Sequence, residues 1–160
     1  MGSGTERATF GAGCFWGIEE AFRTLRGVVD TAVGYTGGAK DHPSYQEVCR
    51  DRTGHAEVVQ VTYDPEATTF EALVEAFFAC HDPTQLDRQG PDVGRQYRTA
   101  IFFHSADQET AARAAKAALD AAGRHPRPIA TEITEATTFW PAEEHHQRYL
   151  LKRGLGSCHT

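Results

Sequence analysis

The chain has 160 residues, 40% of them hydrophobic and 24% charged, with a formal net charge of -6. That length suits one domain, 1–160, able to bury a core without disulfide staples or a structural metal. The acidic balance argues against a phosphate-backbone binder, and no run of 18 apolar residues exists to span a bilayer.

The polar start from Met1 to Arg7 lacks a basic, then apolar, leader pattern, so residues 1–6 are expected to be disordered and the protein cytoplasmic. Ala8 to Ala12 reads as a short strand running into Gly13-Cys14. Ile18, Ala21, Phe22 and Leu25 recur at helical spacing and predict an amphipathic helix ending near Gly27. Val28 to Tyr35 is β-rich, and residues 36–54 read as one long loop. Glu57 to Tyr63 is the clearest strand, closed by Asp64-Pro65. Thr68-x-x-Glu71 fits a capping box before a helix that stops near His81-Asp82-Pro83.

Asp82 to Gly94 reads as a second long loop and Tyr97 to His104 as a strand. Ser105 and Gln108 cap an alanine-rich helix ending at Gly123. Ile129, Thr131 and Ile133 alternate as a last strand, and Pro141 to Gly154 predicts a final helix before a mobile tail, 154–160. The expected fold is α+β, a two-layer sandwich with a mainly antiparallel sheet and helices on one face.

Four cysteines occur, Cys14, Cys49, Cys80 and Cys158, with no C-x-x-C pair, so neither a zinc ribbon nor a thioredoxin-type motif is expected. Eight histidines are scattered, and His145 and His146 diverge on a helix, so no metal site is expected. Cys80, beside Phe77 and Phe78, reads as a core residue.

Cys14 stands where a strand becomes a helix, a position that favours thiolate. Phe15 and Trp16 would build an apolar wall beside it, suited to a methyl group; alternatively both are core and Cys14 is a small buried residue. Glu57 shares a strand face with Val59, Val61 and Tyr63. Burial there would raise its pKa and keep it protonated as an acid. Alternatively it lies at the strand end and reaches water. Cys158, on a glycine-containing tail, is placed to attack an oxidised partner, or else is a stray surface thiol.

Gly13-Cys14-Phe15-Trp16-Gly17 resembles the signature of the A-type peptide methionine sulfoxide reductases. The resemblance continues through Gly34-Tyr35-Thr36-Gly37-Gly38, Tyr45 to Cys49, Thr53 to Val58, His81 to Gln85, Arg88 to Arg98 and Phe139 to Gln147. It covers nearly the whole chain in order. It implies a ferredoxin-like split β-α-β core, with Cys14 as nucleophile, Glu57 as proton donor and Cys158 as the resolving cysteine. Phe15 and Trp16 would hold the substrate methyl, and Tyr45, Asp92 and Tyr97 would line the sulfoxide site. The implied reaction reduces methionine S-sulfoxide through a Cys14 sulfenic acid and then a disulfide. No bound cofactor is implied; an external dithiol, thioredoxin, would reduce that disulfide.

Two features depart from the family pattern or lack a family role. Arg95 stands where the family leads one to expect a small hydroxyl residue, and Cys49 has no fixed role and could itself pair with Cys14 or Cys158. Two other function classes compete. One is a cysteine hydrolase or acyltransferase built from Cys14, a histidine such as His55 and an aspartate. The other is a non-catalytic redox or metal-binding module of Cys and His. A monomer is expected.

Overall fold

The computed structural model describes residues 4–49 and 53–147. The strands are β1 (Glu6–Ala12), β2 (Val28–Thr36), β3 (Ala56–Tyr63), β4 (Arg88–Gln89), β5 (Asp92–Val93), β6 (Thr99–Phe103), β7 (Glu132–Glu135) and β8 (Trp140–Pro141). The helices are α1 (Phe15–Arg23), α2 (Tyr45–Cys49), α3 (Phe70–Ala79) and α4 (Ala106–Ala121). The main sheet runs β7-β6-β1-β3-β2-β8, and only the β6–β7 pair is parallel. The fold is therefore mixed, with a mostly antiparallel sheet. Among the described residues no helix is long and apolar enough to cross a membrane.

β1 lies between β3 and β6 and is buried from Ala8 to Ala12. A central strand covered on both faces cannot alternate polar and apolar side chains, and this stretch does not. Phe10 carries the core to the helices: its ring stacks on Phe22 of α1 at 4.9 Å and on Phe77 of α3 at 5.1 Å. Each buried phenylalanine contributes roughly 1.5–3 kcal/mol. A smaller cluster of Ala56, Val58, Ala100 and Phe102 packs with Ala136 and Phe139.

Several elements differ from expectation, each for a local reason. The 36–54 loop contains α2, which opens with a reciprocal cap: Ser44 Oγ accepts from Glu47 N–H at 3.1 Å and Glu47 Oε1 accepts from Ser44 N–H at 3.0 Å. The 82–94 loop contains the β4–β5 hairpin. The cap of α3 is Thr69, not Thr68; its hydroxyl accepts from Ala72 N–H at 3.0 Å. The last predicted strand starts three residues late, at Glu132, because the N–H groups of Ile129 and Ala130 bond Asp120 Oδ1 and Pro83 O instead of a ladder.

The predicted final helix does not begin at Pro141. Trp140 and Pro141 pair with β2 as an edge strand, where a missing N–H is tolerated, and Glu144–His146 forms a 3-10 turn. The rest of that helix, the 154–160 tail and Cys158 lie outside the described residues. At the other end, β1 already starts at Glu6.

Candidate active site

Gly13 adopts φ +95°, a left-handed conformation that turns the chain sharply out of β1. Cys14 follows in extended backbone as the N-cap of α1, and its carbonyl accepts from Ile18 N–H at 3.5 Å. Its side chain is half-buried and makes no capping bond to the helix it starts. Phe15 is fully buried and Trp16 partly so. The two rings thus divide the alternatives: Phe15 is core, and Trp16 is a wall open on one side.

β3 crosses beneath this turn and delivers Glu57, which is 1% exposed. Its Oε1 accepts from Phe15 N–H at 3.3 Å, while Oε2 has no hydrogen-bond partner among the described residues. Glu57 therefore does not reach water. Burial pushes its carboxyl up to about 8; the Phe15 N–H and the Gln96 amide act against that rise, and the Asp92 charge adds to it.

Tyr45, the first residue of α2, brings its ring to 6.2 Å from Phe15 and 6.4 Å from Trp16. Its phenol is pushed up by burial, then by a bond with Cys49 and by the Glu57 charge. Tyr97 ends the 3-10 turn Arg95–Tyr97. Its phenol too is pushed up by burial, then by the charges of Glu57, Cys49 and Asp92 and by that of Cys14. Asp92 reaches the cluster from β5. Every predicted site residue within the described chain thus converges at the start of α1.

Several members of the site had no assigned role. His146 sits among the aromatic rings, 4.4 Å from Tyr45, and its Nδ1 accepts from Trp16 Nε1–H at 3.1 Å. Glu143 accepts from the Tyr35 hydroxyl and from Tyr45 N–H, both at 3.2 Å, tying the C-terminal segment to β2 and α2. Buried Gln96 favours charge on both Glu57 and Cys49 through side-chain bonds. The Cys49 thiol is pushed up by burial first, with the Tyr45 bond opposing. All four lie inside the motifs that carry the family resemblance, which was the only sequence signal for them.

Other candidate residues are held in other roles. Both nitrogens of His55 are committed to the 38–40 backbone: Nδ1 accepts from Gly38 N–H at 3.0 Å and Nε2 faces Lys40 O at 2.6 Å. Its ring braces that loop and is not a base for Cys14, so no hydrolase triad forms on His55. Gly38 is required there, because a Cβ would collide with the backbone of Thr53 to His55. No group of three His, Cys, Asp or Glu side chains suited to a metal occurs among the described residues. Arg95 is exposed and pairs with Asp87 at 3.1 Å and Glu132 at 3.4 Å. Cys80 packs against the core but also lines a groove of about 760 Å³ that opens beside Cys14 and Trp16.

The family model for peptide methionine sulfoxide reductase matches residues 6–160. The chain belongs to that family. It is 62% identical over 160 residues to the peptide methionine sulfoxide reductase MsrA of Geobacter sulfurreducens, covering 99% of each protein. Its fold matches the reduced form of Mxr1 from Saccharomyces cerevisiae with a TM-score of 0.89 at 39% identity, covering 97% of this chain and 89% of that one. It also matches Mxr1 in a complex with Trx2, with a TM-score of 0.62 at 28% identity over 91% of this chain and 84% of that one.

Proposed function

We propose that the chain, as one domain, reduces methionine S-sulfoxide to methionine, with Cys14 as nucleophile and Glu57 as the acid. The observation that carries this reading is the shared turn. The residue after the thiol hands its N–H to a buried carboxyl that retains its proton near neutral pH. The Cys14 thiolate forms a bond to the sulfoxide sulfur while Glu57 protonates the oxygen. Tyr45 and Tyr97 hydroxyls, held protonated, donate to that oxygen as its charge grows. Asp92 orients the substrate or a water, and Trp16, backed by the buried Phe15 ring, flanks the methyl. The hydroxyl then passes from the methionine sulfur to the Cys14 sulfur as the S–O bond and the new S–S bond break, so methionine leaves reduced by two electrons and Cys14, oxidised by two, becomes a sulfenic acid.

Cys158 then displaces that oxygen as water, forming a Cys14–Cys158 disulfide, and a thioredoxin-like dithiol reduces it by exchange. The complex of the related Mxr1 with Trx2 supports that partner. A reducing cytoplasm, a monomeric state and the absence of a bound cofactor suit this cycle. The β6-β1-β3-β2 order, joined through α1 and α3, supports the split β-α-β reading of the core.

The test is chiral chromatography of racemic methionine sulfoxide incubated with the protein and excess dithiothreitol. The S epimer alone should disappear, and Cys14→Ser should abolish its loss. Persistence of both epimers with the unmodified protein would refute the reading.

A further inference from the structure

Behind the wall that Trp16 presents beside Cys14 stands His146. It is 3% exposed and does not line the groove, whereas Trp16 does, so His146 influences a bound sulfoxide through its neighbours. Its link to Trp16 is directional. The indole Nε1–H can only donate, and His146 Nδ1 accepts it at 3.1 Å. Nδ1 therefore carries no proton, and the ring is the neutral imidazole with its hydrogen on Nε2. The two rings lie 23° from parallel with centroids 5.6 Å apart.

The imidazole is itself held in place. Its backbone runs between two anchors. On one side Glu143 is tied to the Tyr35 hydroxyl and to Tyr45 N–H. On the other, Gln147 brackets Val33 of β2, Oε1 accepting from its N–H and Nε2 donating to its carbonyl, both at 2.8 Å. Gln147 Nε2 also donates to Ala142 O at 2.9 Å, and Ala142 N–H bonds Val33 O at 2.9 Å. The ring is wedged against Tyr45 at 4.4 Å and Phe15 at 5.5 Å. An indole turns about two side-chain bonds, and hydrogen bonds weaken steeply off their line. An acceptor fixed in this way therefore sets the angle at which the indole stands.

We propose that His146 is a positioning residue: by fixing the angle of the Trp16 indole it makes the site select a methyl sulfoxide over sulfoxides with a larger S-alkyl group. Its role rests on the reductase reading above and adds to it the determinant of one selectivity. A gap of about 0.5–1 Å forfeits a quarter to a half of a dispersion contact. An indole free to swivel would hold the methyl group less tightly and make room for one carbon more.

The experiment follows the first turnover of prereduced enzyme on free L-methionine S-sulfoxide and on L-ethionine S-sulfoxide, by rapid quench without added reductant, so that recycling does not enter. One methylene commonly discriminates by about tenfold or more, and the unmodified enzyme should prefer the methyl sulfoxide by at least that factor in limiting rate over half-saturation constant. His146→Phe keeps a ring and removes the acceptor. It should raise the half-saturation constant for the methyl substrate about fivefold, leave its limiting rate within about twofold and cut the preference to about twofold. His146→Asn gives up the ring but sets an oxygen near the place of Nδ1, and should keep a preference of about fivefold or more. In a Trp16→Phe background, which has no indole N–H, His146→Phe should change nothing further.

A preference unchanged by His146→Phe overturns the proposal, as does an unmodified enzyme that takes both sulfoxides equally. If His146→Asn is as impaired as His146→Phe, the imidazole serves packing and the proposal fails. It fails too if His146→Phe lowers the limiting rate equally on both substrates, or adds a new loss in the Trp16→Phe background. Failure of the unmodified enzyme to reduce methionine S-sulfoxide at all is a different result, one that strikes the reductase reading itself.

Discussion

The protein contains two aromatic clusters built with similar packing and different consequences. In the first, Phe10, Phe22, Phe70 and Phe77 stack with centroids 4.9–6.1 Å apart and are at most 7% exposed. In the second, Phe15, Trp16, Tyr45 and His146 lie 4.4–6.4 Å apart. The first consists only of hydrocarbon rings and is sealed between the sheet, α1 and α3. The second carries an indole N–H, a phenol and an imidazole, opens on one side and stands against Cys14 and Glu57. Dispersion and area burial hold both clusters together. The polar tips make the second one the candidate site, because they set hydrogen-bonding groups at the edge of an apolar wall.

The comparison breaks most visibly in stability. Phe22→Ala should cost about 3–5 kcal/mol in urea denaturation, through lost transfer energy and a cavity, with kcat of the folded protein unchanged. A fall in kcat as large as the fall in stability would mean that the two clusters are not independent.

Next is Glu57→Gln. It keeps the shape and should lower the rate on the order of 10²-fold, about 2.7 kcal/mol of barrier, in single-turnover assays with reduced enzyme. The unmodified enzyme should lose rate as pH rises through about 8, where the acid gives up its proton. Stability carries the opposite sign from that of a salt-bridged carboxylate. The folded state holds a proton that the unfolded state releases above its ordinary value of 4.5, so folding weakens as pH rises from there to about 8. Glu57→Gln should therefore raise the melting temperature at pH 9 far more than at pH 4. A variant as active as the parent would remove Glu57 from the chemistry.

Tyr45→Phe separates ring from hydroxyl. Stacking is kept, and the rate should fall about tenfold with little change in melting temperature. An unchanged rate would reduce Tyr45 to packing. The smallest effect is expected at Arg95→Ser, which breaks an exposed pair of ion contacts and should shift stability by no more than about 0.5 kcal/mol. A larger shift would show that the 3-10 turn holding Gln96 and Tyr97 depends on that residue.

Patterns with a short physical range were legible in the chain itself. The strand at β3, the cap at Ser105, the helical spacing from Ile18 to Phe22 and the placement of Cys14 at a strand-to-helix turn all follow from periodicity and turn chemistry. The cap at Ser44 was equally legible in form, as Ser-x-x-Glu, but sat inside a stretch dominated by glycine, proline and charge. Thr68 and Thr69 offered the same hydroxyl one residue apart, and only backbone direction chose between them.

What tertiary structure alone decided was pairing across distance. Local pattern left Glu57 equally suited to water or to the core, and the turn at Phe15, forty-two residues away, settled it by covering the carboxyl. Trp140 and Pro141 became an edge strand rather than a helix start because β2 presented a free ladder edge. His146, Glu143 and Gln96 entered the site from motifs that carry the family resemblance but show no chemical role by spacing or periodicity. The physical reason is the same in each case: burial and hydrogen bonding depend on what lies opposite, whereas periodicity records only what lies next along the chain.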